Sequence, residues 1–140
     1  MLHGGLSINI FLEDPCLKVK PKASYFDHER WDVYRVALDF IIVVKDVVEK
    51  LPRGNAYLTD QLQRAVTSVP LNIAEGAGEH SLDEKARFYR MAKRSATECA
   101  GILDVCKQLQ LIDENQHSRG RELLLRIAAM LTKMSRTSVR

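Results

Sequence analysis

The chain has few aromatic residues, few glycines and no long uninterrupted apolar run. Aromatic residues make up 6% of its 140 residues and glycine occurs 7 times, which argues against an all-β sandwich or a low-complexity chain. The most apolar stretch, residues 36–48, is interrupted by Asp39, Lys45 and Asp46 and is too short to span a bilayer. We therefore expect no membrane-spanning segment.

Cysteine is also scarce and forms no Cys-x-x-Cys pair. Cys99 and Cys106 would lie two turns apart on one helix, roughly 10 Å, which is too far for a disulfide. With Cys16 they are expected to be reduced thiols. The first residues lack the basic start and the apolar core of a signal peptide, so we expect a cytoplasmic location.

The remaining composition is that of one ordinary soluble domain. Hydrophobic residues make up 46% of the chain and charged residues 28%. The net charge of +3 comes from 21 basic and 18 acidic residues, a mild excess that hints at an acidic partner without identifying one.

The first 24 residues follow no helical period and contain two of the four prolines. We expect residues 1–24 to form an irregular or disordered N-terminal arm. A strand-like stretch at residues 8–12 and an over-long gene start are the alternatives. Residues 25–136 are expected to form the folded domain, and residues 137–140 a basic tail.

Apolar residues then recur at helical spacing. Asp27 is the predicted N-cap of a first helix that ends at Leu51, before Pro52. Its inward seam is Val33, Ala37, Phe40, Val44, Val47 and Leu51. A second apolar row consists of Tyr34, Leu38, Ile41 and Val48. This double width indicates that the first helix is central in a bundle or that it also faces another subunit.

A second helix is predicted from the turn at residues 53–55 to about Ala77. Its inward residues are Leu58, Leu62, Ala65, Val69 and Ile73. Pro70 removes a backbone donor within this helix, so we expect a kink between Val66 and Pro70. Gly76 and Gly78 are expected to end the helix.

The third helix is predicted to begin with a capping box at Ser81 and Glu84 and to reach about Leu111. Its inward heptad is Phe88, Ala92, Ser95, Cys99, Ile102, Cys106 and Leu109. Asp113 and Glu114 open a fourth helix, whose apolar face follows Gly120 and consists of Leu124, Ile127, Leu131 and Met134. Four helices with short connections predict an all-α, antiparallel up-down-up-down four-helix bundle.

The second helix also carries an unusual polar row next to its proline. The row consists of Gln61, Arg64, Ser68, Asn72 and Glu75, spaced so that all five line one face. It is either a recognition surface or hydrogen-bonded network, or a solvated helix face. Ser68 and Asn72 could rearrange the hydrogen bonds that Pro70 frees.

Two segments of this region resemble a known family. The run QLQRAVTSVPLNIAEG at residues 61–76 and the run FYRMAKRSATE at residues 88–98 are similar to the motifs QLxRAxxSxPxNIAEG and FxxxAxxSxxE of the 23S rRNA intervening-sequence proteins. The similarity covers about residues 27–135. It implies a four-helix bundle that forms a homo-oligomeric ring, often a pentamer, with no known enzymatic activity. A related branch, the accessory protein of diversity-generating retroelements, binds nucleic acid and a reverse transcriptase.

The motif gives specific residues an expected structural role at a helix or subunit contact. In this sequence they are Arg64, Ser68, Pro70, Asn72, Glu75, Gly76, Ser95 and Glu98.

A basic stripe on the third helix is the second candidate site. Arg87, Arg90 and Arg94 share one face, Lys93 lies beside them, and Tyr89 is expected to be close enough to stack on a base. Arg121 and Arg126 of the fourth helix add positive charge. The alternative is a solvated face whose arginines pair with nearby carboxylates.

Enzyme signatures are missing from the sequence. His3, His28, His80 and His117 lack metal-ligand spacing and are expected to be surface or turn residues. The Gly76-Ala77-Gly78 run lacks the lysine of a phosphate-binding loop. Glu75 and Glu98 could approach one another, but no Glu-x-x-His pair accompanies them. We expect no catalytic residue, metal or cofactor.

The sequence therefore favours a non-enzymatic, oligomeric helical-bundle adaptor that binds structured RNA through basic helix faces. A protein–protein interaction scaffold without nucleic-acid binding is the main alternative, indicated by the second apolar row of the first helix. A metal-dependent bundle enzyme is a third hypothesis, which would require a bound transition metal.

Overall fold

The computed structural model describes residues 24–138. A short 3-10 helix at Asp27–Arg30 is followed by four α-helices: α1 (Asp32–Lys50), α2 (Ala56–Gly78), α3 (Leu82–Gln108) and α4 (Glu114–Thr137). Each helix packs against its neighbours in the chain, and α4 packs back against α1. No strand occurs within residues 24–138. The predicted all-α, antiparallel four-helix bundle is confirmed, whereas the predicted N-terminal arm lies almost wholly outside the described residues.

The first α-helix begins later than predicted. The backbone N–H of Phe26 donates to Oε2 of Glu29 at 3.0 Å, which closes the short 3-10 turn that contains Asp27. Trp31 is then extended, with φ −84° and ψ 133°, so a continuous helix cannot start before Asp32. Asp27 is therefore not the N-cap of α1. At the other end, Leu51 adopts an extended conformation, as residues before a proline favour.

The inward seam of α1 is buried as predicted from Val33 to Val47. Val36 and Val43 are also buried, because α1 contacts both α2 and α4 and so needs a wide apolar stripe. Members of the second row differ: Tyr34, Ile41 and Val48 are half-buried against the core, whereas Leu38 is exposed.

Gly76 does not have the helix-ending role that the sequence suggested, and Gly120 lies in a similar position. Gly76 and Gly120 are both buried inside helices, within α2 and α4 respectively. A Cβ on Gly120 would lie 2.6 Å from Cδ1 of Leu103, so this glycine allows α3 and α4 to approach closely. Gly78 is the last residue of α2, but among the described glycines only Gly54 has a positive φ. The α-helical conformation of α2 continues on both sides of Pro70, and the kink near this proline stays a prediction.

The core also departs from the predicted heptad at the ends of α3. Ala92, Cys99, Ile102 and Cys106 are buried, as are four further residues of α3 that the heptad did not include: Ala86, Tyr89, Ala96 and Leu103. Phe88 is only half-buried, and Leu109 is exposed because α3 already ends at Gln108.

The starts of α3 and α4 follow the predicted capping residues, but only half of the capping box predicted for Ser81 and Glu84 forms, because the Glu84 carboxylate binds Arg87. The Ser81 hydroxyl accepts a hydrogen bond from the Glu84 backbone N–H at 3.5 Å. Asp113 and Gln116 form a reciprocal capping box at the start of α4, with bonds of 2.7 and 3.0 Å. None of the four α-helices is both long and apolar enough to cross a membrane.

Candidate functional site

The family-like motif residues meet at the seam between α2 and α3, the most extensive helix contact in the bundle. The hydroxyl of Ser95 donates to the hydroxyl oxygen of Ser68 at 2.9 Å and so bridges the two helices. The side-chain amide of Asn72 donates to the same oxygen at 2.9 Å and to the Ser68 carbonyl at 2.8 Å. Three half-buried polar side chains therefore form one network in which Ser68 is the shared acceptor.

The network distinguishes between the two interpretations of the polar row on α2, which were a hydrogen-bonded network and a solvated helix face. Ser68 and Asn72 belong to an interhelical hydrogen-bond network and not to a fully solvated face. Pro70, which is buried, lies between them in the sequence of α2. Proline supplies no N–H donor, so the Val66 carbonyl loses its helical partner, but the Asn72 amide donates to the carbonyl and hydroxyl of Ser68 rather than to Val66.

A close approach of the same two helices surrounds Gly76. A Cβ at this position would lie 2.5 Å from Cε1 of Tyr89 and 3.0 Å from Cβ of Phe88. Any larger residue would force the ring of Tyr89 or the helix itself to move. The Tyr89 ring is 3% exposed and packs edge-on against Trp31 at 6.2 Å between ring centroids. Gly76 is therefore required by packing between helices.

The end of α2 has an interaction that sequence reasoning missed. Nζ of Lys85, on α3, donates to the carbonyl oxygens of Gly76 at 3.3 Å and Ala77 at 3.0 Å. These carbonyls lie in the last turn of α2, where the helix leaves its acceptors unpaired and where cations are stabilised. The only available signal was a lysine in the first turn of the following helix.

The other motif residues lie on the outer surface of this seam. We define the α2–α3 face by residues that are exposed or half-buried there: Arg64, Ser68, Leu71, Asn72 and Glu75 of α2, and Met91, Ser95 and Glu98 of α3. Leu71 is 59% exposed and Met91 40% exposed, so this face combines apolar and polar side chains.

The register of the seam keeps Glu75 and Glu98 apart. Because Ser68 contacts Ser95 and the helices are antiparallel, Glu98 lies level with residues near Arg64. Glu75 is about ten residues further along α2, a distance of roughly 15 Å. The two carboxylates therefore do not approach one another, contrary to the possibility raised by the sequence.

The basic stripe of α3 is exposed, but its arginines differ in their partners. Arg87 pairs with Glu84 at 3.0 Å, and its guanidinium lies 5.0 Å from the centre of the Phe88 ring. Arg90 and Arg94 form no ion pair with another described residue. Lys93 is half-buried. The stripe thus presents two unpaired guanidinium groups per chain.

The prediction that Tyr89 stacks on a nucleic-acid base is wrong. Its ring is buried between α2 and the start of α1. Burial also raises the pKa of its hydroxyl, as expected for a phenol in a less polar environment.

Arg121 and Arg126 are both exposed but do not belong to one surface. Five residues correspond to about 140° around an α-helix, so the two side chains leave α4 in different directions. His117 contacts α3, and Arg121 follows it by one turn, so Arg121 lies along the edge that borders the basic stripe. Arg126 lies away from that edge.

The prediction that His117 is a surface or turn residue is wrong, because this residue lies at the contact between α3 and α4. This histidine is buried, and its Nε2 lies 2.7 Å from Oδ1 of Asp104 on α3. Lys107 pairs with Glu114 at 2.8 Å beside it, and the lysine lowers the pKa of the Glu114 carboxyl. These two contacts join the ends of α3 and α4.

The cysteines and carboxylates of residues 24–138 form no cluster of three or more potential metal ligands. Cys99 and Cys106 are buried free thiols. Burial, aided by the nearby Glu98 charge, raises the pKa of Cys99 to about 12. Cys16 lies outside the described residues.

Sequence comparison adds one finding. A model of the family described as 23S rRNA-intervening sequence protein matches residues 29–133, which include all of α1, α2 and α3 and most of α4. No curated protein sequence matches the chain.

Proposed function

The chain belongs to the 23S rRNA-intervening sequence protein family, and from this premise we propose that it is a non-enzymatic, oligomeric adaptor that binds structured RNA through basic helix faces. The family description refers to sequences inserted in 23S rRNA, which makes RNA the first partner to test. No catalytic step is part of the proposal, and a cytoplasmic location belongs to it.

The observation that carries the RNA proposal is the pair of exposed arginines on α3. Arg90 and Arg94 have no ion-pair partner among the described residues. Unpaired guanidinium groups on one helix face can neutralise phosphates without reading bases. Binding of this kind is weakly selective for sequence and falls steeply as salt is added.

A homo-oligomeric ring is the second part of the proposal, and a pentamer is the form that the resemblance implies. Leu38 and Ile42 of α1 are 40% and 63% exposed, and Leu71 and Met91 lie on the α2–α3 face. Apolar side chains on separate outer surfaces suit head-to-tail contacts, which form a ring when the rotation from one subunit to the next closes. A ring would repeat each arginine pair around its circumference and strengthen the positive field.

The test compares two charge-reversal variants of equal net charge. The first replaces Arg90 and Arg94 with glutamate. The control replaces Arg35 and Arg53 with glutamate, since both are exposed but lie on α1 and in the turn after it. Binding of a structured RNA is measured over a range of salt concentrations.

We expect the first variant to lose most binding at low salt. Loss of two phosphate contacts should also make the slope of log K against log salt shallower by about 1.8 per chain. The control should bind nearly as the wild type does. Equal losses in both variants would indicate only a general charge effect and would contradict a site on α3.

A protein–protein scaffold is the alternative function, and the exposed Leu38 and Ile42 favour it. They extend the half-buried apolar row of α1 to the surface. This alternative predicts that a partner protein is retained on the immobilised chain after nuclease digestion. Loss of every partner on digestion would argue against it.

A further inference from the structure

A pocket of about 410 Å³ lies between the 3-10 helix and the last turns of α2, apart from the α2–α3 polar network. Phe26, Asp27 and His28 line one side, and Ala74, Glu75 and Gly78 line the other. Its size falls within the range of small-molecule pockets and exceeds that of a nucleobase.

The aromatic wall of the pocket has a free face. Phe26 is 72% exposed. Its ring stacks on His28 with 5.8 Å between centroids and only 14° between planes, and His28 in turn packs edge-on against Tyr34 at 4.7 Å. The ring is therefore supported from one side and open to solvent on the other. Exposed aromatic rings of this kind are the surfaces on which unpaired bases stack.

The polar wall of the pocket consists of carboxylates. Asp27 and Glu75 form no hydrogen bond or ion pair with another described side chain. Ionised carboxylates only accept hydrogen bonds, so they favour ligand edges that carry N–H donors. They also repel phosphate, which favours entry of the base rather than the backbone of a nucleotide.

Phe88 does not line this pocket, but it packs against the last turns of α2 beside the start of the basic stripe. Its Cβ lies 3.0 Å from the Cβ position of Gly76, the residue after Glu75. The Arg87 guanidinium lies 5.0 Å from the centre of the Phe88 ring. The pocket and the N-terminal end of the arginine stripe therefore lie at the same end of the bundle.

We propose that this pocket binds one unpaired nucleobase of an RNA strand whose phosphates lie along the α3 stripe. The base stacks on Phe26, and the carboxylates accept hydrogen bonds from its amino group. Adenine, cytosine and guanine carry such an amino group with two N–H donors, whereas uracil offers two carboxylates only its single ring N3–H, so uracil is disfavoured. This inference rests on the proposed RNA binding and adds a preference for single-stranded segments.

The test measures fluorescence anisotropy with labelled RNAs of about 12 nucleotides, a length within the range that single-strand binders cover. The probes are oligo(A), oligo(C), oligo(U) and a duplex. The wild type should prefer oligo(A) and oligo(C) to oligo(U) and to the duplex. Phe26→Ala should weaken oligo(A) binding about 10-fold with an unchanged salt slope, and Phe26→Trp should restore it.

Two further variants complete the design. Tyr57→Ala is the matched control, because Tyr57 is a similarly exposed aromatic residue at the opposite end of α2. It should leave binding unchanged. Glu75→Gln should reduce the preference for oligo(A) over oligo(U), since an amide is a weaker acceptor than a carboxylate.

The outcomes separate this inference from the proposed function. If Phe26→Ala binds as the wild type does while the variant of Arg90 and Arg94 is weakened, the pocket is not a base site, but RNA binding by the stripe stands. Equal losses in Phe26→Ala and Tyr57→Ala would also overturn the pocket. If the wild type binds none of the RNAs at low salt, both proposals fail.

Discussion

Replacing Gly76 with alanine is the sharpest test of the α2–α3 seam. The added Cβ would lie 2.5 Å from Cε1 of Tyr89, closer than real Cβ contacts allow, and 3.0 Å from Cβ of Phe88, which is tighter than most real contacts. The Tyr89 ring has little room to move, because it is buried and packs against Trp31. The substitution must therefore push α2 and α3 apart or displace the ring.

The magnitude follows from two opposing effects. Inserting a methyl group into a well-packed seam costs about 1 to 3 kcal/mol. Alanine also has a better helix propensity than glycine by about 1 kcal/mol, which offsets part of this cost. Gly101→Ala isolates the second effect, because Gly101 lies in the middle of α3 with no atom within 4 Å of its added Cβ. We expect Gly101→Ala to stabilise the protein and Gly76→Ala to be about 1 to 3 kcal/mol less stable than it.

The assay is urea unfolding of both variants at one protein concentration, so that any association affects them equally. A difference of this size corresponds to about 4 to 12 °C in melting temperature for a domain of this length. Equal stabilisation by the two substitutions would show that Gly76 is not packed against Tyr89 and would refute the reasoning.

Three further predictions test separate contacts. Ser68→Ala and Ser95→Ala should each destabilise the protein by about 0.5 to 1.5 kcal/mol. A double-mutant cycle should show coupling between the two positions, since each substitution removes the same interhelical hydrogen bond. Additive losses of stability would argue against that bond. Lys107 lowers the folded-state pKa of Glu114 below its ordinary value of 4.5, so this pair should stabilise the protein above about pH 4.5. Its contribution should be lost as the pH falls through the folded-state pKa of Glu114. Lys107→Met should flatten that part of the acid unfolding profile, and an unchanged profile would contradict the assignment. Cys99, with its pKa raised to about 12, should resist alkylation at neutral pH until the chain unfolds, as peptide-resolved mass spectrometry can measure; rapid labelling of the folded protein would place this thiol outside the core.

Helical periodicity predicts most of this fold, because each helix buries a stripe at regular spacing. The bounds of α2 and the capping residues Ser81 and Asp113 agree with the structure within a residue or two. The start of α1 differs, since the 3-10 turn closed by Glu29 competes with a longer helix. The spacing of residues along the sequence cannot decide between the 3-10 turn and a longer α1 when contacts with other helices favour one of them.

The packing roles of two glycines could not be predicted from the sequence. Gly76 matches the pattern of a helix stop, but it lies inside α2 against a bulky side chain, as Gly120 does inside α4. Only the packing partner, Tyr89 or Leu103, distinguishes the two roles. The same holds for the site: the polar row on α2 was visible in the sequence, whereas its bond to Ser95 depends on the register between two helices.

The most direct test of the central claim is light scattering coupled to size exclusion, at low and high salt, with and without a structured RNA. We expect a mass that is a multiple of 15.9 kDa and that rises with RNA at low salt but not at high salt. A mass of 15.9 kDa that RNA leaves unchanged at every salt concentration would contradict both the oligomer and the RNA-binding adaptor.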